Sequence, residues 1–376
     1  MMKNKILTLA IVMAVLCVPK ASADSGQLIA PAQTQSPTTY TLSLEQAVEM
    51  AKKSSPALEC CDVNKENLRV QRKNASIAKK NMKNVEIKAS TGYDAVFVKQ
   101  GYYVEMYDRQ YELADYEKAK TESSISYEVT QKYYNCKNAI AMYDSARSAL
   151  ERATENESLT KMRLSLGMCT QLDADSVSLS VAQCRANLEK CKSNIEIAEE
   201  ALKIALGIEG NCVINLTDAL TPEPFSANLE EDTSKALISR YDVNALKTAS
   251  ELAQSYFKIV SSLNHENATY YSAYTNRIKS DFDYSTGVKN ITLAIKSSYH
   301  SAVDAVNQSE LAAKRLEIMK KEYETFRIKN EIGMITTLTL SLKADELTEC
   351  ENAYNNALLA RKLAIEKYRY DVTTGV

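Results

Sequence analysis

The chain has 376 residues, and its 46 basic and 48 acidic side chains give a formal net charge of −2. This balance provides neither a basic surface nor an acidic tail, so it argues against a nucleic-acid partner. Only 9 glycines and 6 prolines occur, and tryptophan is absent. Such a composition is typical of proteins built from long helices joined by short loops.

The first 23 residues have the organisation of a secretory signal peptide. A basic start at Lys3 and Lys5 precedes an apolar run from Ile6 to Val18, and Ala21-Ser22-Ala23 offers a cleavage site of small residues. The apolar run is shorter than the roughly 20 residues that a membrane helix needs. We therefore expect cleavage after Ala23 and export of the remaining chain.

The mature chain is expected to begin with a linker and two helices. Residues 24–41 are polar and carry two prolines, which predicts a flexible linker. The next helix has Ser43 as a plausible N-cap and Gln46 as its capping-box partner. Pro56 interrupts that helix, and a second, longer helix should run from about Pro56 to Lys83.

The sequence repeats itself at a constant offset of 166 when residues 125–206 are aligned with residues 291–372. The matched pairs include Ile125 with Ile291, Val129 with Ile295, Tyr133 with Tyr299, Ile140 with Val306, Leu150 with Leu316, Gly167-Met168 with Gly333-Met334, and Cys184 with Cys350. Each copy comprises two long helical tracts that meet at a glycine. We predict an all-α fold of two tandem hairpin repeats, at 42–210 and 229–376, joined by a linker at 211–228.

The descending tract of each repeat carries a heptad seam of apolar or small residues. In the first copy the seam comprises Val177, Val181, Cys184, Leu188, Cys191, Ile195, Ala198, Leu202 and Ala205. The second copy keeps the period except at Arg361, which replaces Ile195. A strict seven-residue period predicts supercoiled packing against a helix of similar length.

The ascending tract, from about Ala114 to Leu166, would be roughly 80 Å long at 1.5 Å per residue. A two-helix hairpin of that length cannot cover all of its own faces. Further hairpins and further chains could cover them, or the hairpin could serve as a simple antiparallel coiled-coil spacer. Periodicity alone leaves both interpretations open.

The chain beyond residue 23 retains eight cysteines: Cys60, Cys61, Cys136, Cys169, Cys184, Cys191, Cys212 and Cys350. An even number in an exported chain permits disulfides, but several lie at helical core positions, where cysteine serves as a small hydrophobe. We favour the second interpretation and predict that Cys184 and Cys350 are buried free thiols. Because no CxxC occurs and His265 and His300 are isolated, we expect no metal site.

Motifs of catalysis are missing from the sequence. It contains no glycine-rich phosphate loop, no GxSxG and no HExxH, and its carboxylates follow ordinary helix-surface patterns. We therefore expect a protein that is not an enzyme, with no catalytic residues and no cofactor.

The C-terminal YRYDVTTGV, at Tyr368–Val376, carries a resemblance to a known family, and five further segments share it. They are SLEQAVEMAKKSSPAL at Ser43–Leu58, RLSLGMCTQLD at Arg163–Asp173, LEKCKSNIEIAEEALKIALG at Leu188–Gly207, LEEDTSKALISRYDVNALKTASELA at Leu229–Ala253, and KNEIGMITTLTL at Lys329–Leu340. In this order they resemble the TolC-like outer-membrane efflux proteins, over nearly all of the chain beyond residue 23.

The resemblance implies a homotrimer with a twelve-helix tunnel, crowned by a membrane β-barrel, in the outer membrane or elsewhere in the cell envelope. It implies passive export and docking to a periplasmic adaptor (membrane-fusion) protein and an inner-membrane pump. The tips Leu166-Gly167-Met168 and Ile332-Gly333-Met334 would dock the partner, and Asp173 and Asp175 would be acidic residues of the lumen. Glycine suits the reversal and exposed apolar residues suit a partner, although turns without a partner remain the alternative.

The chain departs from the family where strands are expected between the long helices of each copy. A spanning strand needs about 9 to 11 alternating residues. The window Asn84–Gly101 alternates only from Val85 to Ala89 and from Tyr93 to Val98, and the window Tyr270–Lys289 does not alternate. We therefore expect at most a short, incomplete β segment in each repeat.

A second departure lies beyond the second tip, where Thr339 and Leu342 occupy the positions of the aspartates common in the family. The sequence thus supports two functions of different class. One is the channel component of an efflux or type I secretion-like export system. The other is a barrel-less coiled-coil protein of the envelope, structural or adaptor-like, and strand content separates the two.

Overall fold

A computed structural model describes residues 38–86, 92–210, 212–263 and 267–374. The expected signal peptide at 1–23 and most of the expected linker lie outside these residues. Helices account for 85% of the described part, which confirms the predicted all-α class. The elements are β1 (Thr38–Leu42), α1 (Leu44–Ser54), α2 (Pro56–Asn81), α3 (Tyr93–Gln100), α4 (Tyr102–Ser165), α5 (Gln171–Leu206), β2 (Cys212–Leu216), α6 (Leu229–Ser239), α7 (Tyr241–Ser261), α8 (Ala268–Glu331) and α9 (Thr337–Thr373).

The boundaries of the long helices reproduce the internal repeat. Both α4 and α8 have 64 residues, and both ends of α8 lie 166 residues after the corresponding ends of α4. The start of α9 follows the start of α5 by the same 166 residues. At 1.5 Å per residue each ascending helix is about 96 Å long. Helix α4 begins at Tyr102 rather than near Ala114, because Gly101 with φ +87° ends α3 and starts α4.

The predicted capping box is present at the start of α1. The Ser43 hydroxyl accepts a hydrogen bond from the Gln46 amide, and the Gln46 side chain accepts one from the Ser43 amide. Pro56 is the first residue of α2, so the chain breaks the helix where the proline was expected to break it.

The heptad seam of α5 packs against α4 as predicted. Val181 and Leu202 are buried, and the other seam residues are half-buried. In the second copy α9 packs along α8 in the same way, with Leu358, Ile365 and Tyr368 buried. The seam therefore joins the two helices within each hairpin.

Two short strands lie where only linkers were expected. β1 pairs in parallel with β2, with Thr38 opposite Cys212 and Leu42 opposite Leu216. The prediction of flexibility is thus wrong for residues 38–41, and the segment 211–228 is more than a linker. Buried Tyr133 explains the order, since its hydroxyl donates to the Leu42 carbonyl at 3.1 Å and accepts from the Asp218 amide at 3.0 Å.

The two segments where the family has strands between the long helices contain no strand in their described parts and are mostly helical. Residues 270–289 belong to α8, and Tyr93–Gln100 forms α3, while 87–91 lie outside the described residues. The strand-like alternation from Tyr93 to Val98 misled because Tyr93, Val96 and Phe97 also fit helical spacing. Val96 and Phe97 are buried in one cluster with residues of α7 and α8, and this packing selects the helix.

The eight cysteines are free thiols, with Cys136 and Cys212 buried and Cys60 exposed. Cys184 and Cys350 are free as predicted but only half-buried, so the expected full burial is wrong. At Cys184 the cause is a groove between α5 and α9, which leaves this side of the seam open.

Candidate functional site

The two hairpin tips share one backbone geometry. Gly167 has φ +67° and Gly333 has φ +76°, in the left-handed region that favours glycine. At the first tip the Met168 amide donates to the Arg163 carbonyl at 2.8 Å, and at the second the Met334 amide donates to the Lys329 carbonyl at 2.8 Å. This is the Schellman pattern of helix ends.

Both tips expose large apolar side chains. Leu166 and Met168 are 67% and 72% exposed at the first tip, and Ile332 and Met334 are 64% and 69% exposed at the second. A Cβ added to Gly167 or Gly333 would meet no atom within 4 Å. The space around each turn is therefore open, and the apolar residues form a surface that nothing in the described chain covers.

The tips lie at the same end of the molecule. Hydrogen bonds join α4 to α9 in antiparallel order, from Asn138 Nδ2 to Asn356 Oδ1 at 3.0 Å through to Asn156 Nδ2 with Ser341 Oγ at 2.6 Å. The last of these pairs is about ten residues from each turn, or roughly 15 Å along the helices. The placement of both tips together matches the sequence prediction, while their role in docking stays a prediction.

The residues that follow each tip act as helix caps. Asp173 accepts hydrogen bonds from the Thr170 amide and hydroxyl at 2.9 and 2.7 Å, and these bonds hold the pKa of Asp173 below its usual value. Asp175 accepts from Gln171 Nε2 at 2.8 Å. In the second copy the Thr336 hydroxyl accepts from the Thr339 amide. Capping explains the residue type at Asp173, and a place for Asp173 and Asp175 in a lumen stays a prediction.

The four long helices form one layer with α5 and α8 on the outside. Helix α5 packs along α4, α4 packs along α9, and α9 packs along α8. The layer therefore has two edges, one in each repeat.

The α5 edge carries an exposed apolar stripe, which comprises Leu172, Leu179, Ile197 and Ile204. Their numbers differ by 7, 18 and 7, close to two, five and two turns at 3.6 residues per turn. The stripe lies nearly opposite the face that buries Val181 and Leu202 against α4. The edge helix is thus apolar on two opposite sides, and only one side is covered.

The α8 edge repeats this arrangement with Phe282, Leu293, Leu311 and Ile318, all exposed. Their numbers differ by 11, 18 and 7, again close to whole turns. The opposite face buries Ile295 and Ala302. Neither stripe was predicted from the sequence, although the spacing of Leu172, Leu179 and Ala186 is a second heptad register that indicates the first.

A groove of about 680 Å³ runs between α5 and α9 over α4. Its walls are rich in small polar side chains, including Ser145, Asn156, Ser180, Asn187 and Thr348. Arg152 crosses this region and donates to Asp345 Oδ1 at 2.9 Å from Nε and to Thr348 Oγ1 at 3.0 Å from Nη2. The contact between the two hairpins is therefore polar here, unlike the seams within them.

A buried polar cluster forms where Arg361 breaks the apolar seam. Arg361 Nε donates to the Glu223 carbonyl at 3.1 Å, and its Nη1 donates to Ser309 Oγ at 3.1 Å. Lys362 Nζ donates to Glu223 Oε1 at 2.6 Å, and Arg369 adds a longer contact to Oε2. The cluster fastens the segment between the repeats to the second hairpin.

The described residues hold no group of three or more histidine, cysteine, aspartate or glutamate side chains placed to bind a metal ion. None of the described helices combines the length and the apolar character of a membrane-crossing helix.

A layer of four long helices, with both hairpin turns at one end, is the fold of the outer-membrane channels of TolC type. The fold expected from the sequence resemblance is therefore confirmed. The evidence is structural, because no protein-family model matches the sequence and no curated protein matches it.

Three solved structures illustrate the similarity. CusC, described in terms of folding and transmembrane channel formation, is 13% identical with a TM-score of 0.69, covering 92% of this chain and 96% of that chain. The outer membrane protein VceC of Vibrio cholerae is 13% identical with a TM-score of 0.67, covering 89% and 97%. The CmeC outer membrane channel of Campylobacter jejuni is 14% identical with a TM-score of 0.66, covering 88% and 85%.

Proposed function

We propose that this chain is the channel component of an export system, and that copies of it close into a tunnel that conducts cargo passively in the outer membrane or cell envelope. The observation that carries the proposal is the pair of exposed apolar stripes on the two edges of the layer. The two edges differ, since one is α5 of the first repeat and the other is α8 of the second. The α5 edge of one copy can therefore pack against the α8 edge of the next, which is a head-to-tail contact. Such contacts generate a ring, and three copies of four long helices give a twelve-helix wall.

The shared fold with outer-membrane channels supports the same role. The tips Leu166-Gly167-Met168 and Ile332-Gly333-Met334 would then dock a periplasmic adaptor protein and, through it, an inner-membrane pump. Their common geometry and exposed apolar side chains suit an interface. Asp173 and Asp175 would stand just inside the tunnel at that end.

The proposal is tested by oligomeric state in a mixing experiment, measured by native mass spectrometry of the purified chain. Leu179→Glu with Ile197→Glu damages the α5 edge, and Leu293→Glu with Leu311→Glu damages the α8 edge. We expect a trimer for the unaltered chain and monomers for each variant alone. A mixture of the two variants keeps one intact α5–α8 contact and should give a heterodimer.

The control is Ile238→Glu, which changes an equally exposed isoleucine on α6 outside the layer and should leave the trimer intact. A dimer from either edge variant alone would show that like edges pair with each other. A monomeric unaltered chain would overturn the tunnel.

The second candidate function is a coiled-coil protein of the envelope with a structural or adaptor role. The helices at Tyr93–Gln100 and 270–289 favour it, because they stand where the family has strands. A monomeric unaltered chain would select this candidate.

A further inference from the structure

The end of the molecule away from the tips brings five helices together. The end of α2 meets the start of α4, where Arg72 pairs with Asp108. The end of α7 meets the same region, with Ser255 Oγ donating to Glu105 Oε1 at 3.0 Å. Helix α8 starts here as well, since Phe257 of α7 contacts Tyr270 with ring centroids 5.5 Å apart. We call residues 79–86, 92–103, 256–263 and 267–282 the aromatic end, and it lies about 95 Å from the tips.

The aromatic end is rich in aromatic residues. It holds ten of the 27 aromatic residues of the chain, which has 22 tyrosines and 5 phenylalanines. Some of these rings form a packed interior, as Phe97 does where it stacks on Tyr256 with centroids 4.6 Å apart. Others stand outside it, and the exposed large apolar and aromatic residues are Val85, Leu263, Tyr271, Tyr274, Ile278 and Phe282. Phe282 also belongs to the stripe on the α8 edge, so the other five are the residues free to face a membrane.

The charge of the aromatic end is positive, unlike that of the chain as a whole. Its basic residues are Lys79, Lys80, Lys83, Lys99, Lys258, Arg277 and Lys279. Its acidic residues are Glu86, Asp94 and Asp281, of which Asp281 accepts hydrogen bonds from Ser250 and Gln254. Seven positive against three negative charges contrast with 46 against 48 in the full sequence.

Arg277 connects the aromatic and the basic features. Its guanidinium carbon lies 5.1 Å from the ring centroid of Phe257 and 5.2 Å from that of Tyr274. Its Nε is buried and has no hydrogen-bond partner among the described residues. The stacked guanidinium therefore places a positive charge among the rings of the aromatic end.

We propose that the aromatic end binds the headgroup layer of an anionic lipid bilayer. Tyrosine is enriched at membrane–water interfaces because its ring is apolar and its hydroxyl is polar, and lysines beside it are attracted to anionic lipids. A protein partner fits less well, since lysine is depleted at the cores of protein interfaces. The inference does not rest on the proposed tunnel, because a monomer could bind a vesicle through this end.

The first test is cosedimentation of the purified chain with vesicles. Vesicles of phosphatidylcholine with phosphatidylglycerol should bind the chain, and vesicles of phosphatidylcholine alone should bind it weakly. Lys79→Gln, Lys80→Gln and Lys83→Gln together should lower the partition coefficient on anionic vesicles roughly 100-fold, since each lysine near such a surface contributes about fivefold. The control combines Lys192→Gln, Lys296→Gln and Lys314→Gln, which alter three exposed lysines elsewhere and should leave binding unchanged.

The second test locates the contact and does not depend on removing charge. The chain contains no tryptophan, so Tyr271→Trp and Leu166→Trp place single reporters on exposed positions at opposite ends. Addition of anionic vesicles should shift the emission of the Trp reporter at 271 to the blue and leave that at 166 unchanged. Circular dichroism of every variant verifies that the helices are intact.

Several outcomes would overturn the proposal. They are absence of binding to anionic vesicles, equal binding by both lysine triples, and a blue shift at position 166 without one at 271. A blue shift at 271 without lipid, rising with protein concentration, would show that a second copy of the chain covers this end instead.

Discussion

Glu223 holds the segment between the repeats against α9. Its carboxylate accepts from Lys362 Nζ at 2.6 Å, and this hydrogen bond holds the pKa of Glu223 below its usual value. A carboxyl group with a lowered folded-state pKa stabilises the fold above its unfolded pKa of about 4.3. That stabilisation is lost as the pH falls through the folded pKa.

The substitution Glu223→Gln should therefore lower the free energy of unfolding by about 1 kcal/mol at pH 7 and by a vanishing amount in strong acid. Urea unfolding followed by circular dichroism at pH 7 and pH 3 measures the two differences. Glu317→Gln is the matched control, since Glu317 pairs with Lys321 on an exposed helix face and should cost less at pH 7. A cost for Glu223→Gln that is equal at both pH values would contradict the ionic origin.

The cysteines should react in an order set by burial. Burial raises the pKa of the Cys136 thiol to about 11, so little thiolate exists at pH 8, and the side chain is out of contact with solvent. We expect Cys60 to react first with a maleimide, half-buried Cys184 and Cys350 more slowly, and Cys136 only after unfolding.

Peptide mass spectrometry of the labelled chain follows each thiol separately. Denaturation without a reductant should make all eight described thiols reactive, and a pair that stays unlabelled until a reductant is added would reveal a disulfide. Fast labelling of Cys136 in the folded protein would contradict its burial.

Arg361 shows why part of the site is not predictable from sequence. The heptad spacing alone shows that Arg361 interrupts the apolar seam of α9. Its partners Glu223 and Ser309 are 138 and 52 residues away, and no local pattern indicates which buried acceptors will meet a side chain that long. The sequence could locate the irregularity but not the contact that replaces the apolar packing.

At the scale of elements, a substitution at a hairpin tip can act in two ways, by straining the backbone or by weakening the docking of a partner. A side chain at Gly167 or Gly333 faces open space but requires a left-handed backbone, so Ala at either position should cost about 1 kcal/mol through strain alone. A charged residue at these glycines would mix that strain with any loss of docking. The flanking residues Leu166 and Ile332 have ordinary backbone angles and isolate the docking effect.

We therefore expect Leu166→Glu with Ile332→Glu to abolish export in cells that depend on this chain, with helical content unchanged. The physical reason is the loss of two apolar contacts and the desolvation of two carboxylates at an interface. Export of a toxic cargo, measured as survival, and circular dichroism of the purified variant give the two readings. Normal export by this variant would show that the tips are not part of the docking surface.

Elements with strong, long periodicity were predictable, and short ones were not. The seam of α5 and the turn at Gly167 follow from spacing and residue type, since a heptad and a glycine each have a physical meaning on their own. β1 and β2 have five residues each and pair across 174 positions, so their strand state depends on packing over Tyr133. The same dependence made Tyr93–Gln100 a helix despite its partial alternation.

At the scale of the whole molecule, the repeat predicted the similarity of the hairpins but not their arrangement. An offset of 166 residues gives two equal units. The order α5, α4, α9, α8 follows from contacts between the units, such as Asn138 with Asn356, which periodicity does not encode. The two edges and their apolar stripes are consequences of that order, and they became visible only with it.

That order also makes the contact between hairpins the weakest part of the layer near the tips. Within each hairpin an apolar seam holds the helices, whereas Arg152 with Asp345 and Asn156 with Ser341 join the hairpins by polar groups. Arg152→Ala removes two hydrogen bonds to Asp345 and one to Thr348, at a cost of about 1 kcal/mol. The hairpins should then separate more often at this end, and the helical turns that lose the contact should open more often.

Hydrogen–deuterium exchange with mass spectrometry measures this opening. In Arg152→Ala we expect faster exchange in peptides covering residues 145–160 and 338–352, with exchange around the strands β1 and β2 unchanged. Arg147→Ala is the control, because the ion pairs of Arg147 within the described part of the chain run along its own helix, to Asp144 at 3.5 Å and to Glu151 at 4.0 Å. Its exchange pattern should match that of the unaltered chain, because pairs along one helix do not join hairpins. If Arg152→Ala left both tip-proximal regions unchanged, the polar contact at Arg152 would not be what holds the hairpins together.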